Sequence, residues 1–179
     1  TELMFMISRF EDLNRLFDEI DKILDEDVSF YVIGGAMLLY YGIKDSTKDI
    51  DIIVDKENKF FIVQKTLNKM GFIKKIPSIE YKRVDLSQIF VRGDFRIDLF
   101  NKTVCKGFQL SDSMKNRTKK IIKLKYLSVF ICSNEDVFLF KTFTEREGDI
   151  SDCIAIAQKT SLDWNIILKE LKYQIRSSE

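Results

Sequence analysis

The sequence contains no histidine, and this absence removes several kinds of chemistry at once. A Ser/His or Cys/His nucleophile pair, an imidazole metal site and a histidine general base are all excluded. Three cysteines, Cys105, Cys132 and Cys153, are odd in number and widely spaced, so they predict neither a disulfide framework nor a zinc site. We interpret them as small apolar residues. Any chemistry therefore depends on carboxylates, lysines, hydroxyl groups or the backbone.

The sequence also lacks the segments that direct a protein into a membrane or out of the cell. No apolar run approaches the roughly 20 residues that a membrane helix needs. The N-terminal stretch is acidic and amphipathic, without the basic start and cleavage site of a secretory signal. We therefore expect a soluble, cytoplasmic protein without a membrane partner. The net charge of +1 gives no overall field for nucleic acid, so such binding requires a local basic patch.

The residues that are present are typical of one globular unit. Hydrophobic residues make up 45% of the 179 positions and charged residues 32%, which is enough for a sizeable core. Apolar spacings of three and four predict helices at 8–25, 36–42, 57–72, 134–147, 149–160 and 163–175. Short apolar or alternating runs predict strands at 28–33, 48–55, 78–91 and 95–101, with one or two more inside 119–133.

This order of elements predicts an α/β (α+β) fold, a mixed sheet flanked by helices with a C-terminal helical segment. We expect the sheet core and its N-terminal helix at 1–132. The C-terminal helices at 133–179 are expected to pack on that core, so that the two parts form a single functional unit.

Three acidic residues project from otherwise apolar strands. In "KDIDIIVD", Asp49 and Asp51 share one strand face while the apolar residues share the other, and in "FRIDLF", Asp98 shares a face with Arg96. If the two strands are neighbours, the three carboxylates form a cluster that suits two divalent ions, as used in phosphoryl and nucleotidyl transfer. The alternatives are a solvated strand end with two unrelated charges, and a surface ion pair between Arg96 and Asp98.

A glycine pair, Gly34 and Gly35, lies between a buried strand and a helix. Glycines there let the backbone approach a ligand closely, and a helix N-terminus presents free N–H groups to phosphates. Tight turns also need glycine for steric reasons alone. With acids on the next strand, we predict that a triphosphate cradle and metal ligands face the same cleft.

These residues, in "GGAMLLYYGIKDSTKDIDIIV" and "RIDLF", resemble the signature of the nucleotidyltransferase superfamily that includes polymerase beta. The stretch "KTFTEREGDISD" further resembles a downstream motif of the minimal and toxin-like members, including those of abortive-infection systems. Lys141, Arg146, Asp149 and Asp152 stand at the positions of that motif. The resemblance covers roughly residues 28–158 and implies a nucleotidyltransferase-like mixed sheet.

The resemblance implies a role for each matching residue. Asp49, Asp51 and Asp98 would be the catalytic residues and the ligands of Mg²⁺ or Mn²⁺, and Asp98 would also help to deprotonate the attacking hydroxyl. The implied nucleotide-binding residues are Gly34, Gly35, Thr47 and Lys141. Thr47 would either support its loop or touch phosphate. The sequence departs from the family pattern at three positions. Relatives often carry arginine where Asp45 stands, many toxin-like members have serine in place of Gly35, and a basic residue is frequent at the position of Gly148.

The resemblance implies an enzyme, a metal-dependent nucleotidyltransferase. It would move a nucleoside monophosphate from a nucleoside triphosphate such as ATP to a hydroxyl group of RNA, of a protein or of a small molecule. A toxin-like role with an antitoxin-type protein partner follows by analogy. The alternative is an inactive member of the fold that senses nucleotides or binds protein or RNA.

Two segments also have a structural explanation. Arg146, Asp149 and Asp152 either contact substrate or form ion pairs at a helix junction, where Ser133 or Asn134 and Asp149 would act as helix caps. The basic run at 115–125 either follows an RNA backbone or forms a strand with one solvated face.

Overall fold

The computed structural model describes residues 6–76, 88–93, 95–144 and 146–177. In these ranges the strands are β1 (Val28–Ile33), β2 (Ile50–Val54), β3 (Ile73–Lys75), β4 (Gln88–Arg92), β5 (Phe95–Asn101), β6 (Thr103–Cys105), β7 (Phe108–Gln109), β8 (Lys119–Lys123) and β9 (Leu127–Ile131). Seven of them form one mixed sheet in the order β3-β4-β5-β2-β1-β9-β8, and β6 pairs with β7 in a separate hairpin.

Helices flank this sheet. A 3-10 helix at Phe10–Leu13 leads into the first of them. The α-helices are α1 (Asn14–Ile23), α2 (Gly34–Tyr40), α3 (Glu57–Lys69), α4 (Asp112–Arg117), α5 (Asn134–Thr144), α6 (Glu147–Lys159) and α7 (Trp164–Ser177). The expected mixed sheet flanked by helices, with helices at its C-terminal end, is therefore confirmed. The division at residue 132 stays a prediction.

The two faces of the sheet pack against different helices. The ring of Phe17 in α1 lies 6.4 Å from that of Phe30 in β1, edge to face. Ile33 stands an odd number of positions further along β1, so its side chain points to the opposite face. There it lines a cavity together with Val137 and Phe140 of α5. One face thus carries α1 and the other carries α5.

A buried ion cluster joins the helices of the C-terminal part. Arg117, at the end of α4, donates to both oxygens of Asp136 in α5, at 3.0 and 2.7 Å, and to Glu170 in α7, at 2.7 Å. Ser111 donates to the other oxygen of Glu170 at 2.8 Å. Because Asp136 and Glu170 are almost fully buried, the guanidinium group supplies the positive charge that makes their burial tolerable.

Two predictions about helix starts have different outcomes. Ser133 caps α5 as predicted, since its Oγ accepts from the backbone N–H of Asp136 at 3.2 Å. The prediction that Asp149 is a cap is wrong, because α6 begins at Glu147 and Asp149 lies within its first turn. The carboxylate of Asp149 is instead bound by side chains, which leaves it no capping role.

The basic run at 115–125 is divided between two elements. Lys115 and Arg117 belong to α4, whereas Lys119, Lys120 and Lys123 belong to β8, which lies at one edge of the described sheet. The alternative of a strand with a solvated face is therefore confirmed for the second half of the run. The predicted strand at 78–91 is confirmed from Gln88 onward, and its first part lies outside the described residues.

Within the described parts of the chain, no helix combines the length and the apolar character that crossing a membrane requires.

Candidate active site

The three acids come together as the sequence predicted, because β2 and β5 are neighbouring strands. The two strands are parallel, and their register places Asp51 directly beside Asp98. Side chains of residues paired across adjacent strands point to the same face of a sheet. Asp49 immediately precedes β2 and stands two positions from Asp51. The alternative of two unrelated charges at a strand end is therefore wrong.

The glycine pair lies against these acids. Gly34 has a φ of +65°, and a Cβ atom there would lie 2.0 Å from Oδ2 of Asp51. A Cβ atom on Gly35 would lie 2.2 Å from Oγ1 of Thr47. Both positions therefore exclude a side chain unless their neighbours move. Gly34 and Gly35 form the first turn of α2, so a helix N-terminus and the acids occupy the same side of the sheet.

Thr47 holds the segment that carries Asp49. Its hydroxyl donates to the carbonyl oxygen of Asp49 at 3.1 Å, and its backbone exchanges hydrogen bonds of 2.8 and 2.9 Å with Ile7. The residue is 4% exposed. Of the two roles implied for Thr47, this geometry fits support of the loop.

Arg96 makes the closest ionic contact in the cluster. Its Nε donates to Oδ1 of Asp98 at 2.7 Å, its Nη2 donates to Oδ2 at 3.0 Å, and its Nε lies 4.0 Å from Oδ2 of Asp49. Asp98 is only 2% exposed. The expected pair between Arg96 and Asp98 is thus present, but it is not a surface pair, and it does not exclude the cluster.

The crowding of carboxylates changes how readily they lose their protons. Burial is the largest cause that raises the pKa of Asp51 well above its ordinary value, and the charges of Asp49 and Asp98 raise it further. Burial and the charge of Asp49 also raise the pKa of Asp98, against the opposing contact with Arg96. A positive charge placed near these carboxylates would therefore stabilise their ionised forms.

The downstream motif forms a second ionic cluster beside the first. Lys141 Nζ lies 3.1 Å from Oδ1 of Asp149 and 2.8 Å from Oδ2 of Asp152. Arg146 Nε donates to Oδ2 of Asp149 at 2.7 Å, and Thr144 donates to the same oxygen at 2.5 Å. These contacts fix the connection between α5 and α6, which agrees with the ion-pairing alternative for Asp149.

For two groups of that cluster, these contacts shift the pKa more than burial does. Burial alone would raise the pKa of Asp149, but hydrogen bonds from Arg146 and Thr144 and the charge of Lys141 lower it to about 2. Burial alone would lower the pKa of Lys141, but the charges of Asp152 and Asp149 raise it. Asp149 and Lys141 are therefore a charged pair at neutral pH.

A small cavity connects the two clusters. Its polar wall consists of Gly34, Asp51, Lys141, Arg146 and Asp149, together with Thr144, and α5 supplies much of its apolar wall. Its volume of about 30 Å³ is room for one or two water molecules. A nucleotide therefore requires the open surface beside the cavity as well.

The described residues do not contain a group of three or more metal-binding side chains that already surround one point. The chemistry of the donors nevertheless fits Mg²⁺ or Mn²⁺, which prefer carboxylate oxygens. In this structure the guanidinium group of Arg96, rather than a shared central point, lies between Asp98 and Asp49.

Sequence reasoning placed the acids and the glycines side by side but missed two contacts of Asp152 and Asp149. Lys44 Nζ lies 3.3 Å from Oδ1 of Asp152, and Thr144 donates to Asp149. Lys44 is far from Asp152 along the chain, and neither Lys44 nor Thr144 is among the residues that the motifs single out. The spacing of Arg96 and Asp98 was the one available signal for their contact.

The fold is also found in proteins of known structure. ANT(2″)-Ia, in a crystal structure with adenylyl-2″-tobramycin, is 9% identical and has a TM-score of 0.60, over 95% of this chain and 98% of that one. A candidate nucleotidyltransferase from Thermotoga maritima (TM1012) is 15% identical with a TM-score of 0.54, over 89% of this chain and 100% of that one. At these identities the likeness shows the fold alone. No curated protein matches the chain in sequence.

A family model, "Nucleotidyltransferase of unknown function (DUF6036)", matches residues 11–178. The chain therefore belongs to this family, and the resemblance to nucleotidyltransferases is confirmed.

Proposed function

We propose that the chain is a metal-dependent nucleotidyltransferase that moves a nucleoside monophosphate from a nucleoside triphosphate to an acceptor hydroxyl group. One observation carries the proposal. The register between β2 and β5 pairs Asp51 with Asp98, and the backbone of Gly34 lies directly against the carboxylate of Asp51. Acids and a helix N-terminus on one side of a sheet suit a polyphosphate with its cations.

The transfer exchanges one P–O bond for another. The acceptor oxygen attacks the α-phosphorus, the bond from that phosphorus to the bridging oxygen breaks, and pyrophosphate leaves. The acceptor's proton passes to a carboxylate, for which we propose Asp98. Bound Mg²⁺ or Mn²⁺, held by Asp49, Asp51 and Asp98, would neutralise charge that develops on the phosphate oxygens. The chain's part is positioning and electrostatic stabilisation.

The backbone N–H groups of Gly34 and Gly35 would bind the phosphates, and Thr47 would hold the loop before β2 in place. Lys141 would contact phosphate as a point charge. Its contacts with Asp149 and Asp152 mean that it must exchange a carboxylate for phosphate to do so. Arg146 is the more exposed cation of the cavity wall, with 39% of its side chain accessible, and we propose that it also contacts the triphosphate.

The test is transfer of label from α-labelled nucleoside triphosphates in the presence of Mg²⁺. Wild type and Asp51→Asn are compared with ATP, CTP and GTP in turn. We expect labelling by wild type and its loss in the variant. Asn removes a charge from a crowded cluster, so Asp51→Asn should melt at the same temperature as wild type or higher. Equal labelling by a folded Asp51→Asn protein would remove these acids from the chemistry.

The acceptor requires a separate experiment with three arms. Total RNA, a cell protein extract and an aminoglycoside such as tobramycin each offer hydroxyl groups, and the last is included because ANT(2″)-Ia was solved with adenylyl-2″-tobramycin. Labelled product in one arm identifies the class of acceptor. A toxin role would show as growth arrest on expression of wild type but not of Asp51→Asn, relieved by an antitoxin-type partner.

A second candidate is an inactive module that binds nucleotide, protein or RNA. The pairing of Arg96 with both oxygens of Asp98 favours it, and so does Asp45, an exposed negative charge on the loop before β2. A thermal shift with ATP and Mg²⁺ tests nucleotide binding, since a ligand at 100 times its Kd adds about 2.7 kcal/mol of stability. A shift without any transfer to the three acceptors would favour this candidate.

A further inference from the structure

The side chain of Arg96 spans two of the three acids. It uses two of its nitrogens on the two oxygens of Asp98, at 2.7 and 3.0 Å, and its Nε lies 4.0 Å from Oδ2 of Asp49. A fork of this kind is the strongest way in which a guanidinium group binds a carboxylate. Arg96 and Asp98 stand two positions apart on β5, so their side chains leave the same face of the strand.

A divalent cation and this fork would compete for the carboxylate of Asp98. Mg²⁺ requires carboxylate oxygens at about 2.0–2.1 Å with nearly ideal directions. Each oxygen of Asp98 already accepts one hydrogen bond from Arg96, and a second cation beside the guanidinium group would be repelled by its charge. The described residues contain no ready group of three ligands, which agrees with such competition.

Arg96 is also more exposed to solvent than the acid that it binds. Its side chain is 31% exposed, whereas that of Asp98 is 3% exposed. The buried carboxylate is fixed, and the partly exposed arginine has the route to solvent. Movement of the long side chain would open Asp98 without any change in the sheet.

We propose that Arg96 is a built-in counter-cation that competes with the divalent cation for Asp98 and Asp49. It holds the acids together before the metal binds and swings away when the metal arrives. The inference rests on the proposed function, because it concerns the same three carboxylates. It goes beyond that function in assigning to Arg96 control over metal affinity.

The experiment measures binding of Mn²⁺ alone, by electron paramagnetic resonance of the free ion and by calorimetry, without nucleotide or acceptor. Wild type is compared with Arg96→Gln, which keeps a polar side chain but is shorter and carries no charge. We expect the variant to bind Mn²⁺ about tenfold more tightly, which corresponds to about 1.4 kcal/mol. Mn²⁺ should also raise the melting temperature of Arg96→Gln more than that of wild type.

Arg92→Gln is the matched control. Arg92 lies on β4, has a similar exposure of 29%, and pairs with Glu19 of α1 at 3.0 Å rather than with the acids. Its loss removes the same overall charge, so we expect unchanged Mn²⁺ affinity. Arg96→Lys keeps the charge but not the fork, and should show a smaller gain than Arg96→Gln. It also serves as the test should Arg96→Gln fail to fold.

The outcomes separate this inference from the proposed function. If Asp51→Asn loses Mn²⁺ binding but Arg96→Gln and Arg96→Lys bind no more tightly than wild type, the role of Arg96 is wrong and the metal site stands. If Asp51→Asn binds Mn²⁺ as tightly as wild type, or none of wild type, Asp51→Asn and Arg96→Gln binds it, the metal site itself is wrong and the inference fails with it. A gain as large in Arg92→Gln as in Arg96→Gln would reduce the effect to overall charge and overturn the proposal.

Discussion

At the scale of single residues, the candidate site depends on one close approach between backbone and carboxylate. Gly34 has a φ of +65°, and any Cβ there would collide with Asp51. Glycine alone meets both conditions, since other residues pay for this conformation and also carry a side chain. The position of Asp51 therefore requires glycine at position 34, independently of any ligand that binds the N–H group of Gly34.

We predict that Gly34→Ala destabilises the protein by about 2 kcal/mol or more, from conformational strain together with displacement of Asp51. Gly42→Ala is the control, because Gly42 has a φ of +69° and no atom within 4 Å of an added Cβ. Gly42→Ala should lower the free energy of unfolding by about 1 kcal/mol, from conformational strain alone. Urea unfolding measures both, and equal losses would show that the contact with Asp51 has no energetic effect.

Asp149 should give stability a defined dependence on acid. Its pKa is lowered to about 2 in the folded protein, so folding favours its charged form. The contribution, about 2 kcal/mol, is fully present above about pH 4 and is lost as the pH falls toward 2. We predict that the advantage of wild type over Asp149→Asn shrinks over this range in urea unfolding measured from pH 7 downward. A difference that is constant with pH would mean that the charge of Asp149 is not what stabilises the junction.

At the scale of elements, the sequence predicted the helices and strands that have a periodic pattern of apolar residues. It did not predict the features that depend on contacts between residues far apart in the chain. The alternation in "KDIDIIVD" and "FRIDLF" located β2 and β5, and the periodic apolar residues located α1, α3, α5, α6 and α7. The parallel pairing of β2 with β5 was conditional in the sequence, since alternation sets the face of a side chain and not its neighbour. The structure supplied that pairing.

The elements that were missed are short and have unusual local signals. The hairpin of β6 and β7 turns through Lys106 and Gly107, and Lys106 has a φ of +46°, which is rare for lysine. The helix α4 has six residues, too few for a periodic pattern. Its direction is set instead by Arg117, through partners in α5 and α7 that lie far along the chain.

Loss of the buried ion cluster that joins α4, α5 and α7 should destabilise the protein measurably. We predict that Arg117→Gln lowers the free energy of unfolding by about 3–5 kcal/mol, because it leaves the buried Asp136 and Glu170 without their cation. Arg15→Gln is the matched control. Arg15 is 91% exposed and lies 3.6 Å from Glu19, and its loss should cost under about 1 kcal/mol. Similar losses for the two variants in urea unfolding would show that the buried cluster adds no more than a surface pair.

At the scale of the whole molecule, the sheet ends in an edge that must avoid pairing with other chains. The described strand at that edge is β8, where Lys119, Lys120 and Lys123 are exposed. Lysines on an edge strand oppose edge-to-edge association. This role explains the three lysines of β8 without RNA.

We predict that replacing Lys119, Lys120 and Lys123 together by valine causes self-association, since the edge then presents open backbone groups between apolar side chains. Light scattering after size-exclusion chromatography measures the molar mass. Lys172→Val on the exposed surface of α7 is the control and should leave the mass unchanged. An unchanged mass for the triple variant would show that the lysines are not needed to protect the edge. That result would favour the alternative in which the lysines bind RNA.

The candidate site draws its residues from Gly34 in α2 to Asp152 in α6. A ribosome makes the chain from its N-terminus, and the sheet strands emerge before the last helices. A nascent polypeptide that ends before Lys141 thus carries the acids but not the lysine or its carboxylate partners. If the proposed activity requires both clusters, translation keeps the protein inert until Lys141 and its two partners have been synthesised, which would spare the cell that makes it from premature transfer.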